Sequence, residues 1–224
     1  MTPEETIKDI RKRCRLAMNG IISSSMSRQG LKYRLNFGVS LQKIKEIARY
    51  YSPNKELAGL LWKEDVRELK ILSTLLFPAN DFTKVTANQW ILEINNQEIR
   101  EQVCINLFQN LSFAAELAYN WSNHSQEAVR TTGYWLLARL LIIKKIDDEI
   151  GAGKVIYVFE DIVSDTVSLR NSALLALKHI GRMSETNAKD ILNKIERFNS
   201  SSNPLEKEIY DNLDFEFEYY HKSL

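Results

Sequence analysis

The chain has 224 residues, of which only 8 are Gly and 4 Pro, with 44% hydrophobic and 26% charged side chains and a formal net charge of +1. So few turn formers exclude a loop-rich all-β protein, and the hydrophobic content excludes intrinsic disorder. A chain of 26.0 kDa with this make-up can bury a core without disulfides or metals, so helices and their spacing become the question.

The first helix is expected over 3–19, where Thr2, Pro3 and Glu5 make a capping-box start. Residues 1–34 carry Lys8, Arg11, Lys12, Arg13, Arg15, Arg28, Lys32 and Arg34 against Glu4, Glu5 and Asp9, a local charge of +5. That basic stretch either attracts phosphate or forms solvated helix faces. It contains no apolar run, so no secretory signal is expected. Cys14 and Cys104 form no CxxC pair and fit two inert thiols in a reducing, cytoplasmic setting.

Further helices are predicted over 21–29, 40–50, 53–63, 66–77, 83–94, 97–110, 113–121, 126–145, 153–163, 166–181, 185–198 and 204–220. Polar joints such as INNQ, WSNHS and DDEIGAGK separate them. Ser52 and Asn203 stand before Pro53 and Pro204 as candidate caps, and Pro78 breaks the chain after LLF. Gly59 and Gly133 fall inside predicted helices at a cost of about 1 kcal/mol each relative to Ala, which points to close packing. The longest apolar run, YWLLARLLII, contains Arg139 and is too short to cross a bilayer. From Pro204 onward, Glu206, Glu208, Asp211, Asp214, Glu216 and Glu218 face Lys207 and Lys222, a local charge of −4.

Four helices open alike: VRELKILSTLL from Val66, IREQVCINLFQ from Ile99, VRTTGYWLLAR from Val129 and LRNSALLALKH from Leu169. Their arginines Arg67, Arg100, Arg130 and Arg170 are spaced by 33, 30 and 40 residues. That period predicts an all-α chain of two-helix repeats stacked into a curved solenoid, because one pair is too small to bury its own apolar stripe. Each arginine either pairs with an acid or helix end in the next repeat or bridges a nucleic-acid phosphate. The array is read as one domain, with cap helices in 1–39, repeats in 40–198 and an acidic helix in 204–224.

The segment NFGVSLQKIKEIARYY, followed by ELAGLLWKEDVRELKILSTLL and the VR-type repeats, resembles the bacterial DNA alkylation repair family. These are the AlkD-like glycosylases, built from HEAT-like repeats, and the likeness runs from about Cys14 to Met183. The resemblance implies duplex DNA held in a concave cleft and release of cationic N3- or N7-alkylated purines, with an acid and tryptophans stabilising the sugar cation. The family's Trp-Trp-Asp-x-x-Asp run aligns here with Asn95-Asn96-Gln97-Glu98-Ile99-Arg100. Both tryptophans become asparagines and the second aspartate becomes Arg100, or Glu101 with a one-residue shift. A later cleft tryptophan aligns with Leu175, and the cleft arginine with Arg130 or Thr131. Glu98 and Glu101 are therefore the candidate catalytic acids, although a helix N-terminus alone also favours both carboxylates. Asn95, Asn96, Arg100, Arg130 and Arg170 are the candidate nucleic-acid contacts.

Trp62, Trp90, Trp121 and Trp135 are read as core on their apolar spacing. His124, His179 and His221 have no ligand spacing, GAGK lacks the strand and hydroxyl of a phosphate loop, and Asp147, Asp148 and Glu149 read as a solvated turn. No metal or cofactor is expected. Two functions stay open: a duplex DNA-binding repair protein that excises alkylpurines, or a non-catalytic HEAT-like scaffold for a protein or another nucleic-acid structure.

Overall fold

The computed structural model describes residues 2–146 and 152–222. The acidic joint at 147–149 and the first Gly of GAGK lie outside them. Among the described residues there are thirteen α-helices and no strand: α1 (Pro3–Leu16), α2 (Gly20–Arg28), α3 (Leu41–Ala48), α4 (Lys55–Lys63), α5 (Arg67–Leu76), α6 (Lys84–Trp90), α7 (Gln97–Asn106), α8 (Ala114–Ser122), α9 (Glu127–Ile142), α10 (Val158–Asp161), α11 (Val167–Gly181), α12 (Glu185–Lys194) and α13 (Pro204–Lys222). The chain divides into two compact units, Met1–Leu111 and Ser112–Leu224.

Local chemistry sets the helix starts. Thr2 and Glu5 form the expected reciprocal capping box. Asn19, Ser40, Asn54, Thr83, Asn96 and Ser184 each cap a helix through a side-chain oxygen. The cap ahead of α4 is Asn54 rather than Ser52, because the helix starts at Lys55, two residues after Pro53, and the Asn54 carboxamide accepts from Leu57 at 2.8 Å. Several predicted helices end early in a 3₁₀ turn. After α7, the side-chain carboxamides of Gln109 and Asn110 donate back to the carbonyls of Ile105 and Asn106, and 108–110 tightens.

The largest departure is α10, where the predicted 153–163 helix shrinks to one turn after a 3₁₀ turn at Ala152–Lys154. Asn123 explains it. Its carboxamide donates to the Lys154 carbonyl at 3.0 Å and accepts from the Ile156 amide at 2.8 Å. Backbone groups that a helix would pair are satisfied sideways instead.

Each unit is organised on one helix buried on nearly every side. In the first unit α5 packs against α3, α4 and α7, and nine of its residues are buried, including Arg67, Glu68, Lys70, Ser73 and Thr74. Lys70 donates to the Trp62 carbonyl at 2.7 Å beneath the Trp62 ring, and burial lowers its pKa. Trp62 stacks on Trp90 at 4.0 Å and donates to Glu93. In the second unit α9 packs against α8 and α11. Its apolar residues surround the helix rather than forming a stripe, as burial on all sides requires.

Two glycines permit close approach. Gly38 has φ +68°, and a Cβ there would lie 2.2 Å from the Asn19 carbonyl. At Gly133 a Cβ would lie 2.3 Å from the Ser122 amide, which explains a glycine in mid-helix against α8. Gly59 departs from the packing expectation, since a Cβ there meets nothing within 4 Å. Trp62, Trp90 and Trp121 are core residues as expected. Trp135 is only half-buried, and its indole N–H has no acceptor among the described residues.

Candidate nucleic-acid interface

In the first unit the start of α7 gathers five of the candidate residues. Asn95 is exposed just ahead of the helix. Asn96 caps it, accepting from the Ile99 amide at 3.0 Å and donating to the Tyr33 hydroxyl at 2.9 Å. Where the repair motif has tryptophan, this chain therefore uses a short amide as a cap. Glu98, in the first turn, accepts from Arg67 Nε at 2.8 Å and Nη2 at 2.6 Å. This is the ladder pairing anticipated for the repeat arginines, and it occupies both carboxylate oxygens.

Arg67 is 1% exposed and has further acceptors. Its Nη1 donates to the Val39 carbonyl at 2.8 Å and to Glu68 at 2.9 Å. Glu68 in turn accepts from the Phe37 and Val39 amides, both at 3.1 Å. Burial alone would lower the Arg67 pKa, but Glu98 and Glu68 hold it above its usual value.

Arg100 is buried one turn into α7 and donates to the Gln97 side-chain carbonyl at 2.7 Å. Desolvation pushes its guanidinium below the usual range. The same Gln97 amide donates to Glu101 at 3.0 Å, so one carboxamide links the two charged groups. Glu101 is half-buried, as is Glu98, but it has no arginine on its carboxylate among the described residues.

Tyr33 was not singled out by spacing, yet it anchors this site. It lies between Lys32 and Arg34, both exposed, and burial raises its pKa, so its hydroxyl stays protonated. The segment is held by a parallel bridge between Leu35 and Val66 and by the Arg34 amide donating to Asp65 at 2.9 Å. A basic-aromatic-basic triplet was the signal available in the sequence.

The second unit holds the other two candidates. Arg130 donates to Asp161 from Nε at 2.7 Å and Nη2 at 2.8 Å, and to the His124 and Ser125 carbonyls from Nη1. Its guanidinium lies 4.6 Å from the Tyr157 ring centroid. The Tyr134 hydroxyl donates to the same Asp161 at 2.6 Å. Arg130 thus sits in a closed buried network. Arg170 is half-buried and donates to the Ser164 carbonyl at 2.8 Å. Asp161 escaped sequence reading, although it follows Arg130 by the same 31 residues that separate Glu98 from Arg67.

Among the described residues no cluster of His, Cys, Asp or Glu is arranged to hold a metal ion, and no helix is long and apolar enough to cross a membrane. No curated protein matches the sequence. A solved structure described as belonging to "a new family of proteins related to the HEAT-like repeat DNA glycosylases with affinity for branched DNA structures" is similar over 93% of this chain and 94% of that one, with a TM-score of 0.69 and 16% identity. That likeness establishes the HEAT-like helical fold. The family profile for "DNA alkylation repair enzyme" matches residues 15–149. Matched over more than half of its length, the chain belongs to the DNA alkylation repair enzyme family.

Proposed function

We propose that this protein binds DNA, with a preference for branched over plain duplex structures, and does not excise alkylated bases. The observation that carries the reading is the state of the α7 acids. Glu98 has both oxygens committed to Arg67, and the resemblance aligns the buried Arg100 with the family's second aspartate unless a one-residue shift brings Glu101 there. A guanidinium there opposes a developing sugar cation instead of stabilising it.

The binding half of the proposal rests on separate groups. In the first unit, exposed Lys32, Arg34 and Asn95 surround the Tyr33–Asn96 hydrogen bond, a cationic and amide surface suited to phosphate oxygens. In the second unit, Arg170 is the repeat arginine left partly open. The affinity for branched DNA described for the structural neighbour supports the choice of ligand. Arg67 and Arg130 have a structural role in this scheme, since each is closed off by a carboxylate.

The test combines binding and chemistry. Affinity for a four-way junction and for a matched duplex is measured across a salt series, alongside base release from DNA containing 7-methylguanine and 3-methyladenine. The expected result is junction binding that weakens steeply with salt, lost on combined Lys32→Ala and Arg34→Ala substitution, with no base release. Absence of binding at low salt overturns the DNA reading. Base release abolished by Glu101→Gln overturns the non-excising half and makes Glu101 the catalytic acid.

A further inference from the structure

Two exposed helix faces, one in each unit, have complementary chemistry. In the first unit the outer stripe of α1 carries Lys8, Lys12 and Arg15 and runs into Leu16, which is 80% exposed. Met18 and Ile21 continue the apolar surface into α2, with Ile21 83% exposed. Arg28 follows Ile21 by two turns on the same side. None of Lys8, Lys12, Arg15 and Arg28 is in an ion pair among the described residues, and α2 buries no side chain.

In the second unit α13 buries Ile209, Leu213 and Phe217, with the Phe217 ring filling the space a Cβ on Gly181 would need. The opposite face shows Glu208, Asp211, Phe215, Glu218 and Tyr219, with Asp214 at its margin. Phe215 is 70% and Tyr219 68% exposed, and their rings stack at 6.4 Å. Phe215 is shared by two shallow hollows of about 600 and 320 Å³. Where helices of a stacked array stop pairing, the outward face is ordinarily polar. Both of these faces break that rule.

We infer that the basic, apolar α1–α2 face of one copy docks on the acidic, aromatic α13 face of a second copy. The charges decide the pairing. Residues 3–28, which hold α1 and α2, sum to +3 and residues 204–222 to −4, so either face against its own kind is repulsive, whereas unlike faces attract. Arg15 and Lys12 are suited to the Phe215 and Tyr219 rings as cation–π partners, while Leu16 and Ile21 supply apolar area for the hollows beside Phe215. Such a contact is heterologous, so the assembly either closes into a ring or grows by addition. The inference is independent of the DNA reading.

The experiment uses nuclease-treated full chain without DNA in sedimentation velocity. At low ionic strength the average mass rises above the monomer with concentration, and high salt returns it to the monomer. Ile21→Glu blocks one face and Phe215→Lys the other, and each raises the apparent dissociation constant at least tenfold. An equimolar mixture of the two variants forms a dimer and nothing larger, because one live face of each kind remains. Both positions are exposed, and unchanged circular dichroism shows that each variant folds. If either does not, Arg15→Glu and Asp214→Lys repeat the mixing test. A wild type that stays monomeric, variants that associate like wild type, or a mixture without the dimer overturns the inference. A monomer whose duplex affinity falls on Lys12→Glu reassigns the basic face to DNA.

Discussion

Each unit places a buried helix at its centre and a buried arginine near the start of that helix, yet the two arginines are held differently. Arg67 on α5 shares its charge between Glu68 and Glu98, and Glu98 remains 17% exposed at its side chain. Arg130 on α9 faces one carboxylate, Asp161, which is 6% exposed and also holds Tyr134. One network is redundant and reaches solvent; the other is closed and depends on a single acid. A buried pair costs desolvation whichever way it is built, but the penalty for losing one partner depends on what remains for the other. The two networks differ in fragility rather than in strength.

Asp161→Ala is expected to cost the most stability, because it strands the Arg130 guanidinium and the Tyr134 hydroxyl together. A loss of about 3–5 kcal/mol is expected in denaturant unfolding, and a loss near 1 kcal/mol would place the network at the periphery. Glu98→Ala removes the corresponding acid in the first unit, where Arg67 keeps Glu68 and the Val39 carbonyl. The expected loss is about 2 kcal/mol, so equal costs at the two sites would erase the distinction. Asn96→Ala removes a cap and the contacts to Tyr33 and Asn95, for about 1 kcal/mol, read in the same unfolding series.

A pH limb belongs to the second unit. Burial, reinforced by Arg182, lowers the His179 pKa to about 4 from its usual 6.5. The folded state therefore prefers the neutral imidazole. Its stability contribution is complete above pH ~6.5 and fades as the pH falls through that value toward ~4. His179→Gln should flatten the acid limb of the melting temperature, and an unchanged limb would remove His179 as its source.

Much of the fold was legible because its causes are local. Thr2 with Glu5, the helical spacing of apolar residues and the scarcity of Gly and Pro each act within a few residues of themselves. The repeat arginines were legible for the same reason, being at fixed positions in similar helices. Their partners were less so. Asp161 is recognisable as a counter-ion only once α10 is known to stop there, and α10 is short because Asn123, more than thirty residues upstream, clamps its approach. The α7 site divides similarly. The loss of both tryptophans to Asn95 and Asn96 stands in the sequence, whereas the commitment of Glu98 to Arg67 needed the spatial neighbour. Gly59 shows the limit of a local rule, since an intrahelical glycine suggested close packing where none occurs.

The Glu68 carboxylate carries a consequence for motion. By accepting from the Phe37 and Val39 amides while also facing Arg67, it gives an irregular strap outside any helix the protection of a core helix. Those two amides can meet solvent only when the strap lifts and the buried ion pair opens with it. Their hydrogen-exchange rates are thus expected to track the slowest opening of the first unit rather than the fast fraying usual for a loop, making 37–39 an internal clock for that unit's unfolding.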